Sequence, residues 1–174
     1  MRRMLSLLCT LGACAGHERS SNEQAVTNGT IATGDPAVIA LVDANDQVGC
    51  TATVIGSHTA ITAAHCFVSR PPRSLRVYFG TQLGDGGTFI AVSDARSHPD
   101  FDFSVLSNDI AMLTLRDESP AAPVALDMRT LDSSLVGTDF RVVGFGTTTG
   151  TTGDAGTKRE GIARMSDVAG LEFT

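Results

Sequence analysis

The stretch "GCTATVIGSHTAITAAHC", residues 49 to 66, contains two runs of small and β-branched residues separated by a short polar turn. β-Branched side chains favour strands, and a period close to two residues is typical of a strand with one buried face. The stretch therefore predicts two β-strands. A histidine and a cysteine, His65 and Cys66, stand side by side where its second strand ends.

The same pattern continues along the chain between turn signals. It gives six strand candidates, at 37–44, 48–55, 58–64, 74–81, 87–95 and 109–115, followed by two more at 140–147 and 161–169. The "GDGG" segment at 84–87 predicts a hairpin turn, because glycine adopts positive φ at little cost. No helical periodicity is sustained, so the sequence predicts an all-β fold.

Composition and charge narrow the classes of function. The chain has 174 residues, of which 42% are hydrophobic and 18% are charged, as in an ordinary globular protein. Its net charge of −6 and pI near 5.0 provide no basic surface for nucleic acid, so no nucleic-acid partner is expected.

The first residues have the composition of an export signal. Arg2 and Arg3 precede the short apolar run "MLSLLCTLGA", which predicts a signal peptide over 1–13. The "LGAC" that ends at Cys14 resembles a bacterial lipobox, which would make Cys14 the acylated first residue of a polar tether over 14–25. Plain cleavage nearby, with Cys14 incidental, is the alternative. Either way the chain is expected to be exported, as a membrane-anchored lipoprotein or as a secreted protein, to the bacterial periplasm, outer membrane or exterior.

Two cysteines, Cys50 and Cys66, remain outside this leader. Export permits oxidation, so a disulfide between them is the default expectation. Zinc is the competing use, since His58 and His65 are near in sequence. No CxxC or HxxxH spacing is present, and neither a metal nor another cofactor is expected.

Three motifs in order resemble those of the trypsin-like, chymotrypsin-fold serine peptidases. They are "TAAHC" at 62–66, "DIAML" at 109–113 and "GFG" at 144–146. The resemblance covers about residues 26 to 174 and implies a double β-barrel. An activation segment and a six-stranded first barrel would occupy 26–118, with the barrel itself over roughly 35–118. A linker at 119–126 would follow, and 127–174 would begin an incomplete second barrel.

The resemblance also assigns roles to residues. His65 would be the general base and Asp109 the carboxylate that orients it, because a serine hydroxyl needs a correctly held imidazole to remove its proton. Cys50 and Cys66 stand where the family has the disulfide beside the histidine. Val26 aligns with the amino terminus that activation cleavage exposes, although Gln24 and Ala25 before it are not a trypsin-like cleavage site.

The nucleophile of this family is not found in the sequence. The resemblance implies a serine within "GDSGGP" after the "GFG" turn, and the serines at 119, 133, 134 and 166 lack such surroundings. We therefore predict a serine endopeptidase for protein or peptide substrates by family, with the given chain inactive or a fragment. A protease homologue that binds partners without catalysis is the alternative.

Overall fold

The computed structural model describes residues 29–68, 70–148, 153–168 and 172–173. Within them the chain forms ten β-strands and three short 3-10 helices, the latter at Ala64–Phe67, Pro72–Ser74 and Ser133–Leu135. The strands are β1 (Thr30–Ile31), β2 (Val38–Val42), β3 (Val48–Gly56), β4 (Thr59–Thr62), β5 (Arg76–Phe79), β6 (Thr88–Ser97), β7 (Ala111–Leu115), β8 (Asp139–Gly144), β9 (Arg159–Asp167) and β10 (Glu172–Phe173).

Six strands, β2 to β7, close into an antiparallel barrel. Their order around the barrel is β2-β3-β4-β7-β6-β5, and β5 returns to β2. The pairing of β4 with β7 brings together segments far apart in the chain, with Ala60 opposite Leu113 and Thr62 opposite Ala111. Closure leaves no unpaired barrel edge, which would otherwise expose backbone donors and acceptors.

The barrel interior is filled by the alternate residues that face inward. Strand β7 shows the rule clearly, because Ala111, Leu113 and Leu115 are buried while Met112 and Thr114 point outward. All six strands contribute to this core. Its larger side chains are mostly aliphatic and come from five of them, with the smaller Ala60 from β4: Ile39, Leu41, Val54, Val77, Ile90, Val92, Leu113 and Leu115, together with the aromatic Phe79 of β5. Burial of this apolar surface is the main stabilising contribution to the barrel.

A second sheet is built around β9. Strand β8 pairs along most of β9, from Asp139 opposite Arg164 to Gly144 opposite Arg159. Strand β10 pairs near the end of β9 and β1 at its start. Strand β1 therefore belongs to the second sheet and not to the barrel that follows it in sequence, since its residues take up the free edge of β9.

The all-β prediction with a six-stranded barrel is confirmed. All six strand candidates between 37 and 115 correspond to β2 through β7, with ends that differ by a few residues. The candidate at 58–64 ends early because the chain turns into a 3-10 helix at Ala64. The "GDGG" turn joins β5 to β6, and Gly84 and Gly86 there adopt φ of 93° and 89°.

In the part of the chain that the structure describes, no helix is long and apolar enough to cross a membrane.

Candidate active site

His65 and Asp109 meet because the strands that precede and follow them are neighbours. His65 lies in the 3-10 helix three residues after the last residue of β4, and Asp109 lies two residues before β7. Since Thr62 pairs with Ala111 at this end of the barrel, the two loops start from adjacent points. Antiparallel pairing thus brings together two residues 44 positions apart.

Two hydrogen bonds join these residues. The backbone N–H of His65 donates to Oδ1 of Asp109 at 2.8 Å. Ring Nδ1 lies 2.6 Å from Oδ2 of the same carboxylate. An ionised carboxylate only accepts hydrogen bonds, so Nδ1 carries the proton and Nε2 presents its lone pair. The side chain of Asp109 is 19% exposed and that of His65 is 39% exposed, which leaves the ring accessible.

A disulfide fixes the segment that carries His65. Cys50 of β3 and Cys66 are bonded, with a Cα–Cα distance of 6.2 Å. The predicted disulfide is therefore present. Because the two sulfurs are bonded to each other, neither is a thiolate that could bind zinc. Sγ of Cys50 lies 4.0 Å from Nε2 of His65, so the bridge borders the ring edge that bears the lone pair.

The loop before Asp109 is held by backbone geometry that suits asparagine. Asn108 adopts φ of 52°, a left-handed conformation that asparagine tolerates better than most residues. Its side-chain amide donates to the carbonyl of Asp100 at 3.0 Å. At the start of the same loop, His98 donates its backbone N–H to the carbonyl of Ile110 at 2.9 Å. These bonds fix the direction in which Asp109 leaves the loop.

Threonine hydroxyls connect the site to the second sheet. Oγ1 of Thr62 donates to the carbonyl of Thr51 at 2.8 Å, and Oγ1 of Thr51 accepts from the backbone N–H of Phe145 at 2.9 Å. Phe145 is fully buried. A Cβ on Gly144 would lie 3.0 Å from Oγ1 of Thr51, so glycine permits this close approach. The "GFG" segment therefore attaches to the barrel next to the His65 loop.

An open cavity of about 280 Å³ lies beside the carboxylate. Asp109 and Ile110 form part of its wall, and the remainder comes from β3, β4 and the residue after β4: Thr51, Thr53, Ile61, Thr62 and Ala63. Open space therefore lies next to Asp109, between it and strands β3 and β4.

The trypsin family model matches residues 24–165 of the chain. The chain belongs to the trypsin family. A trypsin of Saccharopolyspora erythraea is 30% identical over 93 residues, which are 52% of this chain and 41% of that protein. A trypsin of Sarcophaga bullata is 27% identical over 142 residues, which are 78% of this chain and 55% of that protein.

A vitellin-degrading protease of Bombyx mori, 37% identical over 67 residues, matches 38% of this chain and 25% of its own length. The trypsin-family chain thus spans about half or less of the length of these relatives. The solved structure of the Vibrio cholerae VesB protease superposes with a TM-score of 0.67 at 28% identity, over 80% of this chain and 44% of that one. The chymotrypsin fold expected from the motifs is confirmed.

The structure tests the positions of only some predicted residues. His65, Asp109, Cys50 and Cys66 come together in this trypsin-family chain, whereas Cys14 and Val26 lie outside the described residues. The roles of Thr51 and Asn108 did not emerge from the motifs. Thr51 directly follows Cys50, and Asn108 directly precedes Asp109, so proximity to a motif was the available signal.

Proposed function

We propose that this chain supplies the general base and the orienting carboxylate of a serine endopeptidase that cleaves protein or peptide substrates. The single observation that carries the proposal is the double hydrogen bond from His65 to the Asp109 carboxylate. Membership of the trypsin family supports the same reaction class. No cofactor is needed for it.

The roles follow from the geometry. With Nδ1 bonded to Asp109, Nε2 of His65 is free to take the proton of a serine hydroxyl as that oxygen attacks a carbonyl carbon. The imidazolium formed in this step is stabilised by the carboxylate, and it then protonates the leaving amine. The disulfide beside the ring limits displacements of His65, to which such proton transfers are sensitive.

The nucleophile is a separate part of the proposal. No serine of the 174 residues stands within Gly-Asp-Ser-Gly-Gly. We infer that the nucleophilic serine is not among them, so the chain by itself does not form an acyl-enzyme.

The experiment compares three samples with a fluorophosphonate probe, which reacts with activated serines. In cells that express it, the endogenous polypeptide carrying these residues should be labelled and should hydrolyse a casein substrate. His65→Ala introduced at the locus should remove both signals, because the general base is gone. The purified 174-residue chain should be neither labelled nor hydrolytic.

Matched controls separate catalysis from folding. His58→Ala changes an exposed histidine in the turn between β3 and β4 and should leave labelling and hydrolysis unchanged. A folded endogenous polypeptide that the probe never labels would contradict the endopeptidase proposal and favour a non-catalytic binding protein. Labelling of any serine in the 174-residue chain would contradict the assignment of the nucleophile.

We further propose that the chain is exported and attached to a membrane through Cys14, with 14–25 as a polar tether and Val26 as a candidate processed terminus. The leader composition and the "LGAC" segment support this. Intact-mass and N-terminal analysis of the protein expressed in a bacterium should find a diacylglycerol-modified Cys14. A homogeneous Val26 terminus would contradict the tether.

A further inference from the structure

A second cavity, of about 320 Å³, lies where the barrel, the segment just before β2 and the segment after β7 meet. It shares no lining residue with the cavity beside Asp109. Phe79, Pro36 and Pro120 give it apolar walls, and no carboxylate lines it. Its volume is at the lower end of the range for ligand sites, so it suits a molecule of few heavy atoms.

Lys158 lines this cavity and is the only lysine in the sequence. It is 3% exposed. Its backbone is fixed on both sides, since its N–H donates to the carbonyl of Thr81 at 2.7 Å and its carbonyl accepts from Ala32 at 3.0 Å. The side chain is therefore held at the junction between barrel and second sheet, where the cavity is the space it faces.

The ammonium group has fewer partners than its charge requires. Nζ donates to the carbonyl of Asp35 at 2.9 Å and lies 5.6 Å from the centre of the Phe145 ring. An ammonium has three N–H donors, and no other described residue accepts from Nζ. Burial lowers the pKa of Lys158, against the attraction of the Asp35 and Asp85 carboxylates.

Those two carboxylates are engaged elsewhere. Asp35 binds the guanidinium of Arg141 through both oxygens, at 2.9 and 2.5 Å. Asp85 accepts from the Tyr78 hydroxyl and from the backbone N–H of Gln82. Neither forms an ion pair with Lys158 in the described part of the chain. A buried charge without a direct counter-charge is costly, so the site favours an anion that supplies one.

Three threonines add hydroxyl groups to the same cavity. Thr33, Thr81 and Thr88 line it, and none of their hydroxyls is bonded to another described residue. Hydroxyls can donate to a carboxylate oxygen. The cavity thus combines one cation and several donors with an apolar wall, which matches a small molecule that has an acidic head and a short hydrocarbon part.

We propose that this cavity binds a small aliphatic carboxylate, with its oxygens at the Lys158 ammonium and its hydrocarbon part against Phe79 and Pro120. The site is independent of the peptidase proposal because it includes neither His65 nor Asp109. A phosphate ion shares the charge but not the apolar part, so it should bind more weakly.

Because the chain has one lysine, isotope-labelled lysine gives a single side-chain NMR signal that reports directly on the site. Sodium butyrate titrated into the purified 174-residue chain at constant ionic strength should shift this signal to saturation, in the millimolar range typical of so small a ligand. The titration midpoint of the lysine signal should rise when butyrate is bound. Acetate and inorganic phosphate should bind at least several-fold more weakly than butyrate, and butylammonium should give no saturable shift.

Variants test the role of the charge. Lys158→Met keeps the length of the side chain and should weaken butyrate binding at least tenfold, followed through the backbone amides of Thr33 and Thr81. Arg164→Met removes one exposed positive charge on β9 outside the cavity and should not change the affinity. If the Lys158→Met variant does not fold, the butyrate titration of the wild-type chain tests the proposal by itself. Linear, non-saturating shifts, or equal shifts with butyrate and butylammonium, would overturn the proposal.

Discussion

The carboxylate of Asp109 accepts two hydrogen bonds from one residue, His65, through its two different oxygens. Oδ1 receives the backbone N–H at 2.8 Å and Oδ2 lies 2.6 Å from ring Nδ1. The first bond fixes the position of the carboxylate relative to the main chain, and the second fixes the rotation and tautomer of the imidazole. Together they set where Nε2 lies before any substrate binds.

Asp109→Asn should retain the fold but reverse the tautomer of His65. The amide group can donate a hydrogen bond to Nδ1 where the carboxylate could only accept one, so the imidazole proton should move to Nε2. Imidazole nitrogen chemical shifts of the 174-residue chain would report the change. In the endogenous polypeptide the turnover number should fall by about 10⁴-fold, since a protonated Nε2 cannot act as a base.

Asp117→Asn is the control for this substitution, because Asp117 is an exposed residue after β7 with no ion pair in the described structure. It should change neither the tautomer nor the rate. A His65 tautomer that is the same in wild type and Asp109→Asn would contradict the assigned role.

Replacing both cysteines, as Cys50→Ala with Cys66→Ala, should lower the free energy of unfolding by about 3 kcal/mol. The bridge closes a loop with a sequence separation of 16, and in the chain-entropy model a loop of this size restrains the unfolded state by about that amount. Urea unfolding followed by circular dichroism measures it. The wild-type chain with its disulfide reduced should have the same free energy of unfolding as the double variant. A decrease in that free energy well below about 1 kcal/mol would show that the loop-closure argument fails here.

Leu113→Ala should destabilise the barrel by about 2–5 kcal/mol, because Leu113 is fully buried in the core and truncation leaves a cavity. Its neighbour supplies the matched control. Met112 is 48% exposed on the outer face of the same strand, and Met112→Ala should change stability by no more than about 0.5 kcal/mol. Similar decreases in stability for the two variants would indicate that the inner and outer faces of β7 are assigned incorrectly.

Asp35→Asn should produce a pH-dependent loss of stability. The Asp35 carboxylate accepts hydrogen bonds from the Arg141 guanidinium. These bonds lower the pKa of the Asp35 carboxyl below its ordinary value of 3.8. A lowered pKa in the folded state means that the carboxylate stabilises above pH 3.8 and that this contribution is lost as the pH falls through the lowered value. Urea midpoints should therefore differ between variant and wild type at neutral pH and converge in acid.

Asparagine is the suitable replacement because Asp35 adopts φ of 54° and its backbone carbonyl, which the substitution keeps, accepts from Lys158 and Val38. A difference in urea midpoint between variant and wild type that is the same at all pH values would show that the effect arises from packing and not from the charge.

Local patterns in the sequence were enough to predict the strands and the fold class. The period of two residues along β7 puts Ala111, Leu113 and Leu115 on one face, and the glycines at 84 and 86 supply a tight turn locally. The motifs around His65 and Asp109 indicated the family because their residue types and order are unusual together. Those signals are local or depend on spacing along the chain, so they are readable without coordinates.

Which segments are neighbours follows from the packing of the whole chain and could not be predicted from local patterns. The pairing of β4 with β7, which puts Asp109 within hydrogen-bond distance of His65, joins distant segments, and no local preference specifies it. The same holds for β1, which pairs with β9 and not with the barrel, and for Lys158, whose neighbours in "TKRE" are all polar and give no signal of burial. Its burial arises because the junction between barrel and second sheet closes over it, and burial depends on that whole arrangement.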